Sequence, residues 1–174
     1  MSSRATQKAV LRLLTCAHDN DVIASRPIFV AGNSTDGPPG HRDWHTVGDA
    51  LPLYDSTTRD VHLLFTRDNH DVFYSRSSDN GLSWDTPANI SSSARVGNGA
   101  DFCGTGHQGG LQLPDDSATL LVPMYGCGTG KPFILASADH GKTWGHRGAI
   151  DAPANEWTLA PTDRLVTRTR QPPT

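Results

Sequence analysis

Several clusters in this 174-residue chain carry side chains capable of chemistry, and most fail on spacing. His41 and His45 in HRDWH stand four residues apart, as two zinc-binding imidazoles on a helix would. However, the stretch follows DGPPG and lacks the Glu that a zincin helix carries after its first His. The acidic turns DNDV and STDG have neither the loop length nor the closing Glu of an EF-hand. No glycine-rich stretch runs into a Gly-Lys-Ser/Thr after a strand, so no phosphate loop is expected. Cys16, Cys103 and Cys127 form an odd set without CxxC spacing, and they predict neither a zinc site nor a disulfide framework. No metal and no cofactor is expected.

One pattern survives because it occurs twice. SRSSDNGLSW places Ser77, Asp79, Gly81 and Trp84 at fixed spacing, and LASADHGKTW repeats it with Ser137, Asp139, Gly141 and Trp144. Each copy follows a β-rich run, DVFYSRS in the first case and PFILASA in the second. The ingredients are those of a rigid hairpin turn. The Asp carboxylate can accept hydrogen bonds from nearby backbone amides. Gly adopts the positive φ that other residues resist. The Trp ring can lie over the adjoining sheet while its indole N–H finds a carbonyl. None of this needs a substrate, so the expected role of these eight residues is structural.

The elements around these turns read as strand and turn almost throughout. Seventeen Gly and twelve Pro divide the chain into short segments. VHLLFTR (61–67) reaches a polar turn at DNHD, and VFYSRS returns from it. ATLLVPMYG (118–126), KPFILAS and DRLVTRTR are further β-prone runs. The one helical window is 4–14, where Val10, Leu13 and Leu14 could share a face. At about 40–45 residues per four-stranded propeller blade, the chain would hold about three to four blades. With 15 Lys and Arg against 18 Asp and Glu, the net charge of −3 gives no basic surface for nucleic acid. No apolar run is long enough to span a bilayer, and the N-terminal stretch is a poor signal peptide, so a soluble chain is expected. Secreted, lysosomal and cytosolic locations stay open, as does the oligomeric state. Asn33-Ser34-Thr35 and Asn89-Ile90-Ser91 would permit N-glycosylation in a secretory compartment.

The repeated motif resembles the Asp box of sialidases and related β-propellers, and three further stretches narrow the resemblance. VGDALPLYDSTTRDVHLLF (47–65), GTGHQGGLQLPDDSATLLVPMYG (104–126) and NEWTLAPTDRLVTRTR (155–170) are similar to family segments and lie in the family's order. The resemblance implies an all-β fold, a partial six-bladed β-propeller of the sialidase type, over residues 19–174, with 1–18 a poorly defined N-terminal segment. It implies an exo-α-sialidase, a retaining glycoside hydrolase that removes terminal α-linked sialic acid from a sialylated glycoconjugate substrate.

Such enzymes clamp the sugar carboxylate with three arginines, whose planar guanidinium can pair with it bidentately. A Tyr activated by a Glu attacks the anomeric carbon, and an Asp serves as acid and base. The resemblance places Glu156 as the Tyr-activating residue and offers Asp19 and Asp21 as the acid/base. It offers Arg170 or Arg168 as one clamp residue. His107 and Gln108 are placed on a glycine-dense loop near the sugar, or in a tight turn. Asp49 either lines the pocket or caps a strand. Family domains run to roughly twice this length, and the third arginine and the Tyr lie later in their order. The chain is therefore expected to be the first half of a propeller, a truncated product or partial gene model of doubtful stand-alone activity. Two alternatives remain: a non-catalytic sialoglycan-binding or interaction propeller, and an Asp-box propeller acting on another glycan or on a nonulosonic acid such as KDN.

Overall fold

In the two larger sheets, β-prone runs set successive side chains on opposite faces. The computed structural model describes residues 46–96, 102–106, 109–114, 118–151 and 157–160, together with the backbone of 10–16 and 22–30. Among the described residues the chain is all-β and antiparallel, apart from one helical turn, α1 (Ser91–Ala94).

β1 (Val10–Cys16) and β2 (Val22–Val30) form a two-stranded antiparallel sheet. This corrects the expectation of a helix over 4–14 in its described part. Val10, Leu13 and Leu14 fit a helical face, but pairing with β2 satisfies the backbone of 10–16 instead, and such tertiary context outweighs a short periodicity.

The first four-stranded sheet runs in chain order as β3 (Val47–Tyr54), β4 (Val61–Arg67), β5 (Asp71–Ser77) and β6 (Ala88–Asn89). β4 has five consecutive buried residues, His62 to Thr66, because both faces of the sheet are covered. The second sheet repeats the plan with β9 (Leu120–Gly126), β10 (Pro132–Ser137) and β11 (Gly145–Ala149). Its first strand is split into β7 (Cys103–Thr105) and β8 (Leu111–Gln112), which pair with opposite ends of β9. β3 is interrupted at the matching place, where its register against β4 shifts between Gly48 and Leu51.

The core is the seam between these two sheets. Leu51, Leu53, Leu64 and Val72 from the first interleave with Leu120, Val122, Met124, Phe133, Leu135 and Trp144 from the second. Burying one such side chain is worth roughly 1.5–3 kcal/mol, so the seam outweighs any single turn or ion pair. The other face of the first sheet carries Leu63, Phe65 and Phe73, packed with Val47 and Trp84. Sixty residues separate Trp84 from Trp144 and Phe73 from Phe133, so this second face is built like the one with which the second sheet grips the first.

Cys103 and Cys127 are joined by a disulfide with their Cα atoms 4.3 Å apart, which corrects the expectation of no disulfide framework. Cys103 lies opposite Gly126 in the β7–β9 ladder, so sheet pairing brings together two residues that sequence spacing does not connect.

Candidate functional site

The two SxDxGxxW turns share the same Ser, Asp and Gly bonds. In each, the Ser hydroxyl donates to the Asp (Ser77 Oγ to Asp79 Oδ1, 2.8 Å; Ser137 Oγ to Asp139 Oδ1, 2.7 Å) and accepts the Gly N–H at 2.8 Å. The same Oδ1 also accepts the backbone N–H of the residue four positions on, Ser83 or Thr143, and Oδ2 accepts that residue's hydroxyl, at 2.6 to 2.9 Å. Hydrogen bonds from Ser83 and Ser77 hold Asp79 down at about 2. Burial pushes Asp139 up, but the Thr143 and Ser137 hydrogen bonds outweigh it and bring the carboxyl to about 2. Gly81 and Gly141 take φ of 84° and 79°, and Asn80 and His140 before them are also left-handed.

The Trp residues differ. Trp84 Nε1 donates to Gly81 O at 3.2 Å, as expected. Trp144 is buried against Tyr74 across the seam, ring centroids 5.5 Å apart, and its Nε1 has no partner. Burial at the seam thus overrides the expected carbonyl contact in the second copy.

The second turn docks on the first sheet through a polar cluster. Asp55 is fully buried. Its Oδ1 accepts from Thr57 N (2.8 Å), Thr58 N (3.2 Å) and Gln112 Nε2 (2.8 Å), and its Oδ2 accepts from His140 Nδ1 (2.7 Å). Burial raises the Asp55 pKa, but the His140 hydrogen bond and the two backbone amides bring it below the ordinary value. His62, also fully buried, contacts Tyr74 Oη through Nδ1 at 2.8 Å. Its Nε2 stands 3.9 Å from Asp55 Oδ2 without a hydrogen bond. Desolvation lowers the His62 pKa and keeps the ring neutral, and it raises that of Tyr74, whose phenol stays protonated. A Cβ on Gly141 would stand 2.6 Å from His62 ring atoms and 2.7 Å from Tyr74 Oη, so only glycine allows this approach. Sequence reasoning missed this cluster.

A second convergence lies where the first strands of both sheets break. Asp49 sits in the β3 irregularity with φ of 49°. Its backbone carbonyl accepts the Thr105 hydroxyl, and its carboxylate lies 3.5 Å from Thr66 Oγ1. Directly after Thr105, Gly106 N donates to Pro123 O at 2.6 Å. The Trp157 carbonyl fills the space a Cβ on Gly106 would need, with Pro123 Cγ at 2.7 Å, and Trp157 Nε1 donates to Met124 O at 3.0 Å. At the far end of the same loop, Gly110 N donates to Pro52 O at 3.2 Å.

Of the expected site residues, the structure therefore places Asp49 and the eight turn residues. Glu156, Asp19, Asp21, Arg168, Arg170, His107 and Gln108 lie outside the described residues, as do His41 and His45. Gly106 and Trp157, the chain neighbours of His107 and Glu156, meet each other beside Asp49. The Thr105 and Trp157 contacts had no sequence signal. Among the described residues no group of three or more His, Cys, Asp or Glu is placed to hold a metal ion, and no helix is long and apolar enough to cross a membrane.

No family model matches the sequence, and no curated protein matches it. Among solved structures, the fold is similar to that of the Hadza microbial sialidase Hz136, with a TM-score of 0.62 and 20% sequence identity over 75% of this chain. The match spans 29% of that sialidase's own length, and at this identity the likeness is one of fold: an antiparallel all-β, sialidase-like arrangement.

Proposed function

We propose that this chain is part of a sialidase-type, Asp-box (BNR) β-propeller that removes terminal α-linked sialic acid from glycoconjugates as a retaining exo-glycosidase. The observation that carries the reading is the pair of SxDxGxxW turns with matching Ser, Asp and Gly bonds on two like sheets whose fold is similar to a microbial sialidase. In this reading the two larger sheets are successive blades of six, the chain contributes about three to four, and the propeller occupies residues 19–174. The broken first strands form the sugar-facing rim, because they gather Asp49, Thr105, Gly106 and Trp157, the last two being chain neighbours of His107 and Glu156. Glu156 activates a Tyr nucleophile, and Asp19 or Asp21 moves the proton at the glycosidic oxygen. Arg168 or Arg170 pairs with the sugar carboxylate, and Asp49, His107 and Gln108 line the site.

The test is release of fluorophore from a fluorogenic α-sialoside, run on the protein and on Glu156→Gln. Turnover that falls at least about 100-fold in Glu156→Gln, the low end of what a positioned acid or base contributes, supports the assignment. Turnover that Glu156→Gln leaves intact overturns the role of Glu156. No turnover, with binding of a sialyl-oligosaccharide retained in both proteins, replaces the hydrolase by a sialoglycan-binding propeller. Neither turnover nor binding overturns the reading.

A further inference from the structure

We infer that Asn89 is an N-glycan acceptor and that the protein matures in an oxidising secretory compartment. The inference is independent of the hydrolase reading and rests on two separate features of the fold.

The first is the place of the sequon. Asn89-Ile90-Ser91 has a non-proline middle residue, as the acceptor tripeptide requires. Asn89 is exposed at the end of β6, the last strand in the order of the first sheet. Its backbone pairs inward with Phe73 of β5, and Ala88, Ser92 and Ser93 beside it are also exposed. A glycan would be joined to Nδ2. The atom with a structural duty is Oδ1, which accepts the Ser91 N–H at 2.9 Å, and that carbonyl oxygen is kept when Nδ2 is substituted. Ile90 packs against the seam and Ala94 is buried in it, but the Asn89 side chain itself is exposed, so a sugar on Nδ2 extends into solvent. It would also cover the outer edge of a sheet, where unpaired backbone invites pairing with another chain.

The second feature is the disulfide. Cys103 and Cys127 are both fully buried and bonded across the ends of β7 and β9. Such bonds form and persist in oxidising compartments and are rare where thiols are kept reduced. Among the described residues, a buried structural disulfide and a surface sequon therefore point to the same compartment from different chemistry.

Both covalent steps balance. In the disulfide step, the two thiols lose two protons and two electrons to the disulfide of an oxidised dithiol oxidoreductase, which leaves reduced. In the glycan step, the Asn89 Nδ2 bonds to the anomeric carbon of an oligosaccharide carried on a lipid pyrophosphate. The carbon–oxygen bond to the pyrophosphate breaks, the lipid pyrophosphate leaves, and Nδ2 gives up one proton.

The test uses protein purified from the cells that make it. One portion is alkylated without reduction. Another is treated with peptide N-glycosidase in heavy-oxygen water, and both are mapped by mass spectrometry. The expected result is Asn89 converted to Asp carrying heavy oxygen only after the enzyme, with Cys103 and Cys127 alkylated only after reduction. An unmodified Asn89 overturns the acceptor assignment even if the disulfide is intact. Thiols that alkylate without reduction overturn the compartment assignment. Asn89→Asp keeps the oxygen that accepts the Ser91 N–H but has no acceptor nitrogen, so it should fold normally and lose the glycan mass at this site completely. If its mass pattern is unchanged, the glycan is attached elsewhere and the proposal fails.

Discussion

Replacing His62 with Phe should remove a pH sensitivity built into the seam. His62 is buried among Tyr74, Asp55 and Gly141, with one ring nitrogen on the Tyr74 phenol and the other unpartnered. Desolvation is the largest influence and lowers its pKa. Asp55 and Asp60 oppose that shift, while Arg76 and His140 reinforce it. A His whose folded pKa is depressed binds its proton more readily when unfolded. Stability is therefore unaffected well above pH 6.5 and falls as pH drops below it, flattening only at the folded value. The slope approaches about 1.4 kcal/mol per pH unit, so the loss between pH 7.5 and pH 5 has a ceiling of about 2 kcal/mol. Asp55 does not contribute in this window. Its pKa is lowered from 3.8, so the stability it contributes is present above that value and is lost only at more acid pH.

Phe fills the space of the imidazole and cannot be protonated. At neutral pH the exchange strands the Tyr74 phenol but removes an unpartnered buried nitrogen. Each such group costs about 1–3 kcal/mol, so the net change should be small. Urea unfolding followed by Trp fluorescence at pH 7.5 and pH 5 measures all of this. The native protein should lose up to about 2 kcal/mol on acidification, and His62→Phe should lose clearly less. If the two proteins lose the same amount, His62 is not the group that titrates and the reasoning is wrong.

Three other perturbations probe the same framework. Replacing both Cys103 and Cys127 with Ser should lower stability by about 3.5 kcal/mol, the chain-entropy value for a loop this long, seen as a lower urea midpoint. Gly106→Ala puts a methyl where the Trp157 carbonyl and Pro123 stand, so it should destabilise by roughly 1–3 kcal/mol and raise proteolysis near Trp157 more than elsewhere. Asp139→Asn keeps one acceptor oxygen but loses the charge and one of the two Thr143 bonds. Because the native carboxyl sits at about 2, the difference between Asp139→Asn and the unaltered protein should be largest above pH 3.8 and shrink as pH falls toward 2, read from thermal midpoints across that range.

What could be read from the sequence was whatever local chemistry decides. VHLLFTR became β4 residue for residue, and in both turns Asp accepted its backbone amide and Gly took its positive φ, because those features close within seven residues. What failed was decided at a distance. Val10 to Leu14 fits a helix until β2 arrives to pair with it, and Cys103 meets Cys127 only after β7 and β9 are in register. Seven of the residues assigned by resemblance fall outside the described residues; Asp49, assigned in the same way, is placed, at an irregularity in β3 that no residue type announces. His140 shows the limit most clearly. It fills a position that the repeated pattern leaves free, where the first copy has Asn80. Asn80 is exposed, whereas the second turn lies against another sheet, so the side chain at 140 was chosen by Asp55, eighty-five residues away. A rule for the turn alone cannot contain that choice, because the partner that rewards it belongs to the neighbouring repeat.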